Sequence, residues 1–318
     1  MKSTPVISIP VFSILVFVLF SCSDQKAELI ELPFAKDLFP EGIAIDSRTK
    51  KVYLNSLKNK EIVNSAINGK SPQNFLETGK YNYLAGFGMT IKGDTLYALG
   101  NSLTTDQNAS ILLLLQLSTG DMIDSYSIAD SNFQYLNDLA VSSNNEIFIT
   151  DSESNKIYKI QRPNKTIEVY IDSEEVSNSN GITISDTNDY LYLASINGIC
   201  VIDRISKKLI NQPKEAYLGI DGLKFYQNDL YGIVNGWRDN SRNGLFKFEL
   251  NNAGTEVLGS EKIIEFTEDF RTPTTFDILD GHLYFIINTQ LDNFDTNTQE
   301  VIDLKKLESY KMMKFSIM

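Results

Sequence analysis

Short apolar runs alternate with polar turns along this chain, and one unit of that alternation occurs six times. Each unit opens on a polar or small residue followed by a short apolar strand, turns, and continues into a second strand of Leu-Tyr type. The openings read Pro40-Glu41-Gly42-Ile43-Ala44, Leu84-Ala85-Gly86-Phe87, Leu136-Asn137-Asp138-Leu139-Ala140, Ser179-Asn180-Gly181-Ile182-Thr183, Ile220-Asp221-Gly222-Leu223 and Pro273-Thr274-Thr275-Phe276. The second strands follow at Val52-Tyr53-Leu54, Leu96-Tyr97-Ala98, Ile147-Phe148-Ile149, Leu191-Tyr192-Leu193, Leu230-Tyr231-Gly232 and Leu283-Tyr284-Phe285. With Gly42, Gly86, Asp138, Gly181, Gly222 and Thr275 taken as equivalent, the intervals are 44, 52, 43, 41 and 53 residues. A period of this length made of strands predicts an all-β fold, a six-bladed β-propeller.

Turn signals support the strands. Lys92-Gly93-Asp94, Asp186-Thr187-Asn188-Asp189 and Leu279-Asp280-Gly281 read as hairpins between first and second strands. Third strands are expected at Ile111–Leu117, Ile157–Ile160, Ile199–Ile202 and Leu245–Phe248, with longer connections at Gly100–Ser110 and Asn235–Asn243. A ring of blades must close or leave exposed edges. The segment Glu28–Phe34 is therefore expected to pair with a C-terminal strand over Met312–Ile317 in the last blade, after a helical stretch around Val301–Ser309. No Pro-, Ser- or Gly-rich linker divides residues 28–318, so they are expected to form one domain.

The N-terminus carries a different pattern. Lys2 is followed by an apolar run from Pro10 to Phe20 in which Ser13 is the one polar residue. Eleven residues are short for a membrane span, which needs about 20. The run stops at Leu19-Phe20-Ser21-Cys22, which resembles a bacterial lipobox. It implies a signal peptide over residues 1–21, lipidation of Cys22 and a tether over 22–27 that holds the domain on a membrane of the cell envelope; the alternative is an ordinary secretory signal or an uncleaved anchor, and the domain is expected to be a monomer. Removal of Lys2 takes the formal charge from −12 to −13. So acidic a chain, with no basic cluster, is not expected to bind nucleic acid. Cys22 and Cys200 are the two cysteines, so a lipidated Cys22 excludes an intrachain disulfide and leaves Cys200 as a buried thiol.

In a propeller the innermost strands run in one sense along the axis, so equivalent repeat positions form a ring. The residues just before those positions are Glu41, Ala85, Asn137, Asn180, Asp221 and Thr274. Glu41, Asn137, Asn180 and Asp221 offer hard oxygen donors, suited to Ca²⁺, Mg²⁺ or Mn²⁺. A histidine-rich zinc shell is excluded by the single histidine, His282, which falls in a hairpin turn. Read by spacing alone, the four residues either ligate a divalent cation or cap the inner strands and bind channel water.

The ordered pairs Glu41-Gly42, Asn137-Asp138, Asn180-Gly181 and Asp221-Gly222 resemble the blade openings of the SMP-30/gluconolactonase/luciferin-regenerating (LRE)-like family, over about residues 38–290. The resemblance implies a divalent metal, calcium first, on Glu41, Asn180 and Asp221, with Asn137 facing the substrate and Asp221 doubling as general base. Family members acting on sugar lactones carry an arginine two residues before the Asn-Asp pair; this chain has Tyr135 there. The expected function is metal-dependent hydrolysis of a small lactone or related cyclic ester, with Tyr135 and Trp237 as walls of the mouth. The alternative is a non-catalytic propeller that binds a ligand or partner and keeps its metal to brace the channel.

Overall fold

A computed structural model describes residues 27–128, 132–162, 166–237 and 239–317. The signal segment, Cys22 and the tether up to residue 26 lie outside the described residues. Six four-stranded antiparallel sheets make up the fold. Blade one is Ile43–Asp46, Lys51–Asn55, Ile62–Ala66 and Gln73–Leu76; blade two is Ala85–Lys92, Thr95–Asn101, Ser110–Gln116 and Met122–Ile128. Blade three is Leu136–Val141, Glu146–Asp151, Lys156–Gln161 and Thr166–Asp172; blade four is Ile182–Ile184, Tyr190–Ser195, Gly198–Asp203 and Lys208–Leu209. Blade five is Ile220–Tyr226, Asp229–Val234, Gly244–Leu250 and Val257–Glu265. Blade six is Asp277–Leu279, His282–Ile286, Tyr310–Ser316 and, outermost, the N-terminal strand Ala27–Leu32.

The expected closure is present: Ala27 pairs with Phe315 and Leu32 with Tyr310 along an antiparallel ladder. The strand begins one residue earlier than the sequence suggested, so Ala27 belongs to blade six and not to the tether. The ring also closes at its centre, where the inner strands of blades one and six pack on each other as the other neighbouring pairs do. Between blades sit continuous apolar clusters, for example Tyr53, Tyr83, Leu96 and Leu113 between blades one and two. Cys200 is such a core residue, fully buried, and burial pushes its thiol up to about 11.

One expectation is corrected. The segment expected to be helical around Val301–Ser309 is part of a 23-residue insertion, Ile287–Ser309, between the second and third strands of blade six. It holds a short hairpin, Phe294–Asp295 with Glu300–Val301, and two 3₁₀ turns, Leu291–Asn293 and Leu304–Lys306. Buried amides set its shape by reading both backbone groups of the opposite segment. Asn288 donates to Ser309 O and accepts from Lys311 N, Gln290 donates to Glu308 O and accepts from Glu308 N, and Asn293 does the same with Asp303. Arg271 ties both ends through Asp292 (2.9 Å) and Glu308 (3.3 Å). Side-chain amides, and not a continuous helical ladder, satisfy this backbone.

Candidate metal and substrate site

The glycines of the repeated openings are required by close approach. A Cβ on Gly42 would stand 2.1 Å from Phe87 O, and one on Gly181 2.4 Å from Asp221 O. Each inner strand thus runs against the backbone of the next, and each preceding polar side chain is held at the axis. Blades two, three and five add a β-bulge at this point, between Gly86 and Met89, between Leu136 and Leu139 and between Ile220 and Leu223. The extra residue re-aims the side chains of Asn137 and Asp221.

Glu41 is positioned by its peptide. Asn55 Oδ1 accepts from Glu41 N (3.3 Å) and Gly42 N (2.8 Å), while Thr274 and Thr275 of blade six donate to Glu41 O at 2.7 and 3.1 Å. Asn101 of blade two brackets Leu136 by bonding both its N–H and its carbonyl, which fixes Asn137 next to it. Thr150 donates to Asn180 O at 2.6 Å. Asn235 donates to Asp221 Oδ2 at 2.6 Å and to Pro273 O at 2.7 Å. Every quartet member is therefore clamped by a polar side chain of its own or an adjoining blade.

Four buried side-chain oxygens have no hydrogen-bond partner among the described residues, and three are in this quartet: Glu41 Oε2, Asn137 Oδ1 and Asn180 Oδ1. Glu41 is 7 %, Asn137 7 % and Asp221 9 % exposed. Buried acceptors left unpaired cost free energy unless something electropositive meets them.

The charges agree. Asp138 and Asp277 join Glu41 and Asp221 in the channel, against one ammonium, Lys224, which lies 3.9 Å from Asp138 Oδ2. All four carboxyls are raised, burial being the largest cause. Glu41 goes well above the carboxylate range, with Asp221 and Asp138 pushing in the same direction. Asp221 is pushed up to about 7 by burial; Asn235 holds it down, Asp138 raises it, and Asn180 lowers it. Asp138 also accepts from Ile182 N and Asp277 from Ile45 N, so these two carboxylates link blade three to four and six to one. Among the described residues no three carboxylate, imidazole or thiolate side chains are grouped closely enough to hold a metal by themselves. A cation here would depend on the amide oxygens, and two carboxylates with two amides are a hard donor set that fits calcium or magnesium.

The remaining candidates fall around this centre. Tyr135 packs edge-on against Phe87 (4.6 Å), and its phenol is raised by burial and then by the Glu41 charge, which places it beside the quartet. The blade-two connection reaches it through Leu103, and Asn108 Oδ1 accepts from Gln134 N. The blade-six insertion lies against the same cluster, with Phe294 stacked on Phe39 at 4.9 Å. Trp237 is tied to its own loop: its indole donates to Leu218 O and the Arg242 guanidinium lies 3.3 Å from its ring centre. It lines, with Asn235, Phe270 and Arg271, a cavity of about 260 Å³, so Asn235 touches both that cavity and Asp221. A cavity of about 450 Å³ between Asn228, Lys247 and Glu261 on blade five touches none of the quartet. His282 sits at the turn, its ring against Asp280 O.

Sequence reasoning missed Asn101, Asn235, Lys224 and Asp277. One signal was present for the amides: Tyr97–Asn101, Tyr231–Asn235 and Tyr284–Asn288 repeat the same spacing.

The fold and this axial site define the chain as a six-bladed β-propeller. No protein-family model and no curated protein matches the sequence. Among solved structures it is similar to a gluconolactonase from Xanthomonas campestris (13 % identity, TM-score 0.59, 91 % of this chain and 90 % of that one). It is similar also to a luciferin-regenerating enzyme (12 %, 0.60, 91 % and 95 %) and a streptogramin B lyase (15 %, 0.63, 91 % and 97 %). At these identities the likeness is one of fold.

Proposed function

We propose that the chain is a metal-dependent hydrolase of a small lactone or related cyclic ester. The observation that carries this reading is the set of orphaned buried oxygens, Glu41 Oε2, Asn137 Oδ1 and Asn180 Oδ1, around a channel with an excess of carboxylate. Glu41, Asn180 and Asp221 would hold the cation. When bound it supplies Lewis acidity to an ester carbonyl oxygen. Asp221 is the carboxylate that would take a proton from the attacking water. Asn235 fixes its orientation, Asn137 offers its amide to the substrate, and Tyr135 walls the approach. Water adds to the carbonyl carbon and the ring C–O bond breaks, leaving a hydroxy acid. We propose further that Cys22 is lipidated and anchors the protein on an envelope membrane.

The test is a panel of lactones and aryl esters with calcium, magnesium and manganese, run beside Asp221→Ala. Metal-dependent turnover that the variant lacks is expected. The second reading, a binding propeller braced by its metal, is favoured by the low exposure of Glu41, Asn137 and Asp221. A folded, metal-loaded protein that turns over no member of the panel would select it.

A further inference from the structure

The polarity of the N-terminal strand separates the proposed anchor from the proposed site. Ala27 pairs with Phe315, which pairs with Leu283, beside the Asp280-Gly281 turn; Ile317 N closes that end on Gly281 O. Leu32 pairs with Tyr310 at the opposite end, where the Tyr310 hydroxyl accepts from Phe39 N and donates to Lys36 O. The chain then passes directly to Glu41. So the strand enters at the face of the first-to-second hairpins and leaves at the face where the quartet begins. Its six residues, five steps end to end, span about 17 Å. Five residue steps separate Cys22 from Ala27, a reach of at most roughly 18 Å when fully extended.

We propose, resting on the lipidation of Cys22, that the hairpin face lies toward the bilayer and the site opens away from it. The anchored end of the strand is at the hairpin face, and only a fully extended tether running back along the whole strand could bring the site face to the bilayer. The site is then supplied from the aqueous side. Its ester is a water-soluble molecule, not a lipid drawn from the anchoring bilayer. The second-to-third loops, including the blade-six insertion with exposed Ile302 and Leu304, are left free toward the compartment.

The chain carries its own reporter, since Trp237 is the single tryptophan and lies on the site face. The mature lipidated chain is bound to phosphatidylcholine vesicles containing a dansylated headgroup lipid, and energy transfer from tryptophan is read. Two comparison proteins carry Trp237→Phe with either His282→Trp or Ile205→Trp, both on the hairpin face; Ile205 is 76 % exposed and tolerates replacement. The offset of about 17 Å between faces predicts transfer from Trp237 at least about twofold weaker than from either hairpin-face tryptophan. Equal or stronger transfer from Trp237 on vesicle-bound protein overturns the orientation alone. Failure of the mature chain to sediment with vesicles overturns the lipidation and the orientation with it.

Discussion

The Asn235 amide lies 2.6 Å from Asp221 Oδ2 and 2.7 Å from Pro273 O, so one side chain both orients the candidate base and joins blade five to blade six. A hydrogen bond to a buried carboxylate favours its charged form. Asn235→Ala should therefore raise the Asp221 carboxyl further, cost about 1–3 kcal/mol, and weaken cation binding. Thermal unfolding with and without calcium measures both effects; unchanged values would remove Asn235 from the site.

Raised carboxyls make the metal-free protein sensitive to pH. Asp221 binds its proton more tightly folded than unfolded, up to about 7 against an ordinary 3.8, and Glu41 shifts in the same direction. Their contribution is full below the unfolded value and is lost as pH rises toward 7, on the order of a few kcal/mol. With chelator present, the melting temperature should fall between pH 5 and pH 7.5 by more than in Asp221→Asn. Millimolar calcium should flatten that fall, because the cation replaces the proton. A melting temperature that is flat in chelator would contradict the shifts.

Gly42 faces Phe87 O and the Asn55 amide, at 2.1 and 2.6 Å from where a Cβ would lie. Gly42→Ala should cost about 3 kcal/mol by forcing blades one and two apart. Gly259→Ala, with open space around it, should change stability by less than about 1 kcal/mol. Chemical denaturation of the two variants side by side checks the contrast.

Lys224 is the cation that the channel already contains, 3.9 Å from Asp138 Oδ2 and 18 % exposed. Lys224→Met leaves Asp138 and Asp277 uncompensated and should cost roughly 3–5 kcal/mol at neutral pH. The loss should shrink at pH 5, where the carboxyls can protonate, and Lys224→Arg should restore most of it. Equal destabilisation at both pH values would argue for a packing role instead.

Blade number, closure and the equivalent places of the four polar openings were legible because each is a repeated, local signal. Glu41-Gly42 and Asp221-Gly222 stand at equivalent places in their repeats, and a glycine beside a polar residue records a close backbone approach. The blade-six insertion was not legible. It occurs once, and its order comes from Asn288, Gln290 and Asn293 bonding backbone groups ten or more residues away. Lys224 and Asp277 were missed for a related reason: two residues past the equivalent positions they look like solvated strand residues, and their meeting in the channel is a property of the closed ring.

The central claim, a divalent cation on Glu41, Asn180 and Asp221, is tested most directly by calorimetric titration of calcium into chelator-stripped protein at pH 7.5, beside Glu41→Gln and Asp221→Asn. One ion per chain is expected for the natural sequence, with proton release, and a loss of affinity of at least about tenfold in each variant, equivalent to about 1.4 kcal/mol. No heat of binding in the natural protein, or an affinity that neither substitution changes, would contradict it.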